Sequence, residues 1–196
     1  MIENLNGIHE TVKYKENSNV KLFINAEAED YPIHWHTPME IIMPLEGGYA
    51  VQIGDDLVHL NESDIIFIAS GVKHRLIAPD TGKRLILQIE WSAVSKIKEL
   101  NSILTLIAPA ITLTPETSGD IHSNIRKLLL DISNEYQTDS FLSEAVIYSK
   151  MLEVSLLEDI ILPAVVILMS ADTNSRNIWS VFCLSVSISI HIALRT

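Results

Sequence analysis

His34-Trp35-His36-Thr37-Pro38-Met39-Glu40, followed at a distance by Gly71-Val72-Lys73-His74, holds the residues of this chain best equipped for chemistry. In an extended strand alternate side chains share a face, so His34 and His36 point the same way, and Glu40, an even number of residues on, can join them. A neighbouring strand that brings His74 to the same spot would complete a set of three imidazoles and one carboxylate. Such a set suits a first-row divalent metal (Zn, Ni, Mn or Fe(II)) or a polar centre for a small ligand. With a metal, the second ring nitrogens need acceptors, for which Glu90, Gln88 and backbone carbonyls qualify. Without one, the histidines would bond one another or a bound solute. Pro38 removes a ladder hydrogen bond and predicts a bend or strand edge between His36 and Glu40, which bears on the even-number argument.

The elements that must position these groups read as β-structure. From about residue 20 to 91, short apolar or β-branched runs alternate with turn chemistry at Glu46-Gly47-Gly48, Gly54-Asp55-Asp56, Asn61-Glu62-Ser63-Asp64, Ser70-Gly71 and Pro79-Asp80-Thr81-Gly82, the pattern of an all-β sandwich or barrel. The runs span residues 40–45, 49–53, 57–60, 65–68 and 85–91. Further on the apolar period changes towards 3.6. Ile121, Ile125, Leu128, Leu129, Ile132 and Tyr136 predict an amphipathic helix over about 120–137. Phe141, Leu142, Ala145, Tyr148, Leu152 and Leu156 predict a second over about 140–159. The short Gln137-Thr138-Asp139 connection implies an antiparallel pair. The two helices offer more apolar surface than they can bury on each other, so they must pack on the β-domain or on another chain.

Net charge of −11 over 196 residues, with no basic stripe, argues against direct nucleic-acid binding. A single cysteine, Cys183, excludes an intramolecular disulfide, and with no secretory signal at the N-terminus it predicts a cytoplasmic protein. From about Ile160 the chain is nearly uncharged. Its two apolar runs, 160–170 and 178–194, fall short of a membrane span. That tail reads as out-of-frame coding or disorder, as a genuine packed segment, or as a membrane-associating one.

The order His34-x-His36-x-x-x-Glu40, then Gly47, then Ser63-Asp64 through Ala69-Ser70-Gly71-x-x-His74, resembles the two motifs of the cupin superfamily, small jelly-roll-like β-barrels. Ser63 stands where a glycine is usual, and Ala69 where a proline is usual. The phrase from His34 to Gly47 looks most like the N-terminal effector-binding domain of AraC-type transcription regulators, and the predicted helices resemble that family's dimerisation pair. The resemblance implies a cupin barrel with an N-terminal arm over residues 1–95, a helical dimerisation region over 96–159, and an atypical tail over 160–196. No stretch resembles the family's helix-turn-helix module.

The function so implied is small-molecule sensing and dimerisation, without DNA binding by this chain, as a homodimer through the helices. A sugar-like effector is among the candidates. A single-domain metal-dependent cupin enzyme, an oxygenase or isomerase on a small polar metabolite, is the alternative. Expected ligand-binding residues are His34, His36, Glu40, His74, Tyr31, Tyr49 and Arg84, the first four being the ligands of any metal. Arg84 suits a carboxylate or phosphate, whereas Tyr31 and Tyr49 fit pocket or core equally. Trp35, odd in register with the histidines, should face away from them and pack on the helices. His59, His9, His122 and His191 have no place in the motifs.

Overall fold

The structure is a computed structural model that describes residues 4–16, 18–90, 109–138 and 140–156. These residues all lie within one compact unit, Met1–Ile161. A short hairpin, β1 (Leu5–Asn6) and β2 (His9–Glu10), precedes the main sheets. One sheet has five strands in the order β11 (Ala110–Leu113), β8 (Ile65–Ile68), β5 (Met39–Glu46), β10 (Lys83–Ile89), β3 (Val20–Asn25). The other has four, in the order β4 (Tyr31–His34), β9 (His74–Ile77), β6 (Tyr49–Ile53), β7 (Asp56–Leu60). Every pairing within these sheets is antiparallel.

Alternation along β5 explains the layering. Ile41 and Met43 pair across the ladder with Leu87 and Leu85, and this face packs on Ile125, Leu129, Ile132, Ile147 and Met151 of the helices. The intervening Ile42, opposite Ile86, belongs to a second cluster with Tyr49, Val51, Leu60, Ile66, Ile68 and Leu76, between the two sheets. The five-stranded sheet is therefore buried on both faces, which is why Met39 to Met43 shows so little apolar–polar alternation. Each such isoleucine or leucine contributes on the order of 1.5–3 kcal/mol by leaving water.

The first helix, α1 (Pro115–Thr138), is broken at Gly119, whose φ of 42° and ψ of −116° separate an initial turn from the long segment that the periodicity predicts. Thr114 caps the initial turn, its hydroxyl accepting from the Thr117 amide at 3.2 Å. The second helix, α2 (Ser143–Leu156), starts later than expected. The Ser140 amide donates to Ser143 Oγ at 2.8 Å, and Ser143 Oγ donates to Glu135 at 2.7 Å. Serines that bond local backbone in this way favour a cap over a continuing helix. Phe141 and Leu142, expected on the buried face, instead stand 100 % and 60 % exposed in the connection. Contacts of Glu135 with Ser143 and Asp131 with Lys150 set the helices antiparallel, and both pack on the β-domain. Cys183, His191, Trp91 and the tail from 160 lie outside the described residues.

Candidate metal centre

Strand pairing places the histidines. His34 and His74 are direct partners across β4 and β9, and cross-strand partners face the same side. Their ring centroids are 4.2 Å apart, and the His36 ring lies 5.7 Å from His34 and 5.2 Å from His74. One ring nitrogen from each falls within 4.8 Å of the other two. All three side chains are buried, none more than 2 % exposed.

Glu40 reaches the same place by a different route from the one its spacing suggests. His34 ends β4 in the four-stranded sheet, whereas Glu40 sits in β5 of the five-stranded sheet, so the chain changes sheets across His36 and Pro38. The bend expected at Pro38 is this crossing. Glu40 faces inward because it has the parity of Ile42 within β5, not because it continues the strand of His34. Its ladder partner is Gln88, which donates to Glu40 Oε2 at 2.8 Å.

The hydrogen bonds of the rings fix their chemistry. His34 Nδ1 bonds the Pro32 carbonyl, His36 Nδ1 the Pro38 carbonyl, and His74 Nδ1 the Val72 carbonyl, each at 2.9 Å. A carbonyl only accepts, so every Nδ1 carries its proton and every Nε2 is turned inward. The acceptors are thus backbone carbonyls throughout, with Gln88 serving Glu40 instead. His36 Nε2 also lies 3.0 Å from Glu40 Oε2. Two acceptors on one ring require an imidazolium, and although burial works against the charge, the bond to Glu40 and its negative charge outweigh it and raise the His36 pKa. Burial also opposes ionisation of Glu40, but His36 and His74 hold its carboxyl well below the usual range. Burial, reinforced by His74, pushes His34 down to about 4, leaving that ring neutral.

Two atoms of the cluster are left over. His74 Nε2 and Glu40 Oε1 are buried without a hydrogen-bond partner, 3.6 Å apart. That distance is too long for a hydrogen bond, but two donors on one ion with bonds of about 2.0–2.2 Å can stand up to about 4.4 Å apart. The donor set, the orphaned pair and the three carbonyl-locked rings all fit a divalent metal held by His34, His36, His74 and Glu40.

Beside the cluster lies a cavity of about 310 Å³ whose lining includes His34, Glu40, Gln88, Tyr31, Lys21 and Glu10. Tyr49 and Arg84 do not line it. Arg84 is buried elsewhere, its guanidinium 4.4 Å from the Tyr49 ring and donating to the Glu27 carbonyl at 2.5 Å. Trp35 stacks on His9 of the hairpin, at 4.3 Å between centroids, and is not among the residues packed with the helices. His122 anchors α1 through its Nε2 to the Ser63 carbonyl at 2.8 Å, and His59 is exposed. Glu10 was not marked by any motif. β2 runs beside Trp35, with the Glu10 amide donating to the Trp35 carbonyl and the Trp35 amide to the Ile8 carbonyl, both at 2.9 Å. This brings Glu10 Oε2 to 3.6 Å from His34 Nε2. Burial raises the Glu10 pKa.

Two facing antiparallel sheets with an inward cluster of histidines and a glutamate define a cupin-type β-fold. Residues 22–89 match the family model of the cupin domain. Comparison with curated proteins gives no match. Among solved structures the chain is similar to a cupin-2 domain containing protein from Shewanella frigidimarina, at 20 % identity over 38 % of this chain and 74 % of that one, with a TM-score of 0.35. It is similar to the EutQ protein of Clostridium difficile at 17 % identity over 38 % of this chain and 59 % of that one, with a TM-score of 0.34. A mutant of Bacillus subtilis oxalate decarboxylase is similar at 21 % identity, over 39 % of this chain and 22 % of that one, with a TM-score of 0.35. Among the described residues no helix is long and apolar enough to cross a membrane.

Proposed function

We propose that this chain is a metal-assisted receptor for a small polar molecule, serving as the effector-sensing and dimerisation domain of an AraC-type transcription regulator. The observation that carries the reading is the convergence of three carbonyl-locked imidazoles and Glu40, with His74 Nε2 and Glu40 Oε1 unpartnered, at the wall of a 310 Å³ cavity. His34, His36, His74 and Glu40 would hold the ion. A bound divalent metal supplies a Lewis-acidic centre for a ligand oxygen. The cavity is of the size that takes a small metabolite, and Tyr31, Lys21 and Gln88 offer polar contacts to orient it. The helix pair on the outer face of the five-stranded sheet supports the regulator reading, and the exposed Phe141 and Leu142 between the helices offer apolar side chains to a second copy. We assign no DNA contact to the described residues.

The second reading is a metal-dependent oxygenase or isomerase, favoured by the cavity reaching the proposed ligands His34 and Glu40 directly. Metal analysis of the purified full chain, a thermal-shift screen of small metabolites with metal present, and light scattering test both. Stoichiometric metal, a ligand-dependent rise in melting temperature and a dimer are expected of the sensor. Stoichiometric Fe or Mn with substrate-dependent oxygen uptake selects the enzyme. A chain that takes up no divalent metal defeats the metal-assisted form of either.

A further inference from the structure

Glu10 is a buried carboxylate, 7 % exposed, that faces the proposed metal centre from outside the cupin motifs. Its nearest polar atom in the cluster is His34 Nε2, at 3.6 Å. His34 Nδ1 donates to the Pro32 carbonyl, so Nε2 is the ring nitrogen turned towards this carboxylate, and 3.6 Å is too long for a hydrogen bond between them. Among the described residues no donor bonds the Glu10 carboxylate. His74 Nε2 and Glu40 Oε1 stand at the same 3.6 Å, both buried without a hydrogen-bond partner. Each separation lies within the reach of two donors on a common ion, about 4.4 Å at most, and both carboxylates line the one cavity beside the three rings.

Resting on the metal-centre reading above, we propose that Glu10, delivered by the N-terminal hairpin, is a fifth protein ligand of the metal held by His34, His36, His74 and Glu40. The hairpin is fixed for this purpose by backbone bonds that do not involve the Glu10 side chain, those between Glu10 and Trp35 and between Trp35 and Ile8. Glu10 also lines the cavity, so a small molecule approaching the metal from there shares the ion with this carboxylate or displaces it.

The test uses the full chain loaded with Mn(II), with affinity read from the electron paramagnetic resonance of free Mn(II) and checked by Zn(II) competition against a chromophoric chelator. Water-proton relaxation per bound Mn(II) reports solvent on the ion. Glu10→Gln keeps the size of the side chain and removes the charge, whereas Glu10→Asp keeps the charge and shortens it. A ligand role predicts that Glu10→Gln binds at least about tenfold more weakly, with raised water relaxation, and that Glu10→Asp retains more affinity than Glu10→Gln. A role in packing alone predicts the reverse order, and that result overturns the inference. Wild-type affinity and relaxation in Glu10→Gln also overturn it while leaving the metal centre standing. A wild-type chain that binds neither Mn(II) nor Zn(II) removes the underlying reading.

Discussion

The two faces of the five-stranded sheet are built from the same strands and do opposite things. Towards the helices, Ile41, Met43, Leu85, Leu87 and Ile89 meet Ile125, Leu129 and Ile132 in a wholly apolar layer. Towards the other sheet, one residue out of step, Glu40 and Gln88 are buried beside Ile42 and Ile86 and face three histidines. A strand's period of two lets one eight-residue segment serve both. Apolar burial on the helix side supplies stability without chemistry. On the inner side, charged and unpartnered groups tolerate burial only because they answer one another or a cation.

This division can be broken most forcefully on the apolar side. Leu129→Ala removes a fully buried side chain at the sheet–helix contact and should destabilise the chain by about 2–5 kcal/mol, read as a lower urea midpoint with metal-free protein. Metal affinity of the remaining folded protein should not change. A loss of metal stoichiometry in step with stability would show that the two faces are not separable.

The opposite substitution is Glu40→Gln. It keeps shape and the contact with Gln88 but removes the carboxylate charge, and affinity for Zn(II) or Mn(II) should fall by about 100-fold, roughly 2.7 kcal/mol. Unfolding of the metal-free protein should shift far less than in Leu129→Ala. Equal metal affinity in wild type and variant, by competition with a chelator, would remove Glu40 from the ligand set.

Proton competition sharpens the inner face further. His36 is held protonated by Glu40, with its pKa raised above the ordinary imidazole value of 6.5. A metal on Nε2 must displace that proton, so affinity is full above the raised pKa and declines as pH falls through it, by about tenfold (1.4 kcal/mol) per unit for each proton displaced. Calorimetry in buffers of differing ionisation heat should show proton release near neutral pH. No release would mean that His36 is neutral in the metal-free state.

How much of this the sequence discloses follows from where each signal resides. His34, His36 and His74 are legible because motif spacing and strand alternation are local, and the runs at 49–53 and 65–68 match strands Tyr49–Ile53 and Ile65–Ile68 because turn residues bound them. The reason Glu40 faces inward is not legible, since the change of sheet at Pro38 depends on the partner strands. Glu10 leaves no local signal at all: it reaches the centre through backbone bonds to Trp35, a contact 25 residues away in sequence that no periodicity encodes. Phe141 and Leu142 misled because their helical spacing is genuine, while the hydroxyls of Ser140 and Ser143 decide where α2 begins.

The smallest effect lies where the two faces are tied together. Ser63, in the turn between β7 and β8, adopts a φ of 70°, a left-handed conformation that disfavours a residue with a Cβ. The turn is held all the same. The Ser63 amide donates to the Pro44 carbonyl at 2.9 Å, its own carbonyl accepts from His122 of α1 at 2.8 Å, and the Asn61 amide donates to Asp64 at 2.7 Å. Ser63→Gly relieves the backbone but gives the unfolded chain more freedom, so the two terms partly cancel. A net gain of about 0.5–1 kcal/mol is expected, a rise of a few degrees in melting temperature. None of the three bonds uses the serine hydroxyl, so metal affinity should be untouched. If affinity moves instead, the strain at Ser63 is being transmitted through β8 to its ladder neighbour β5, whose Glu40 pairs with Ile68, and the apolar and polar faces are coupled through this turn.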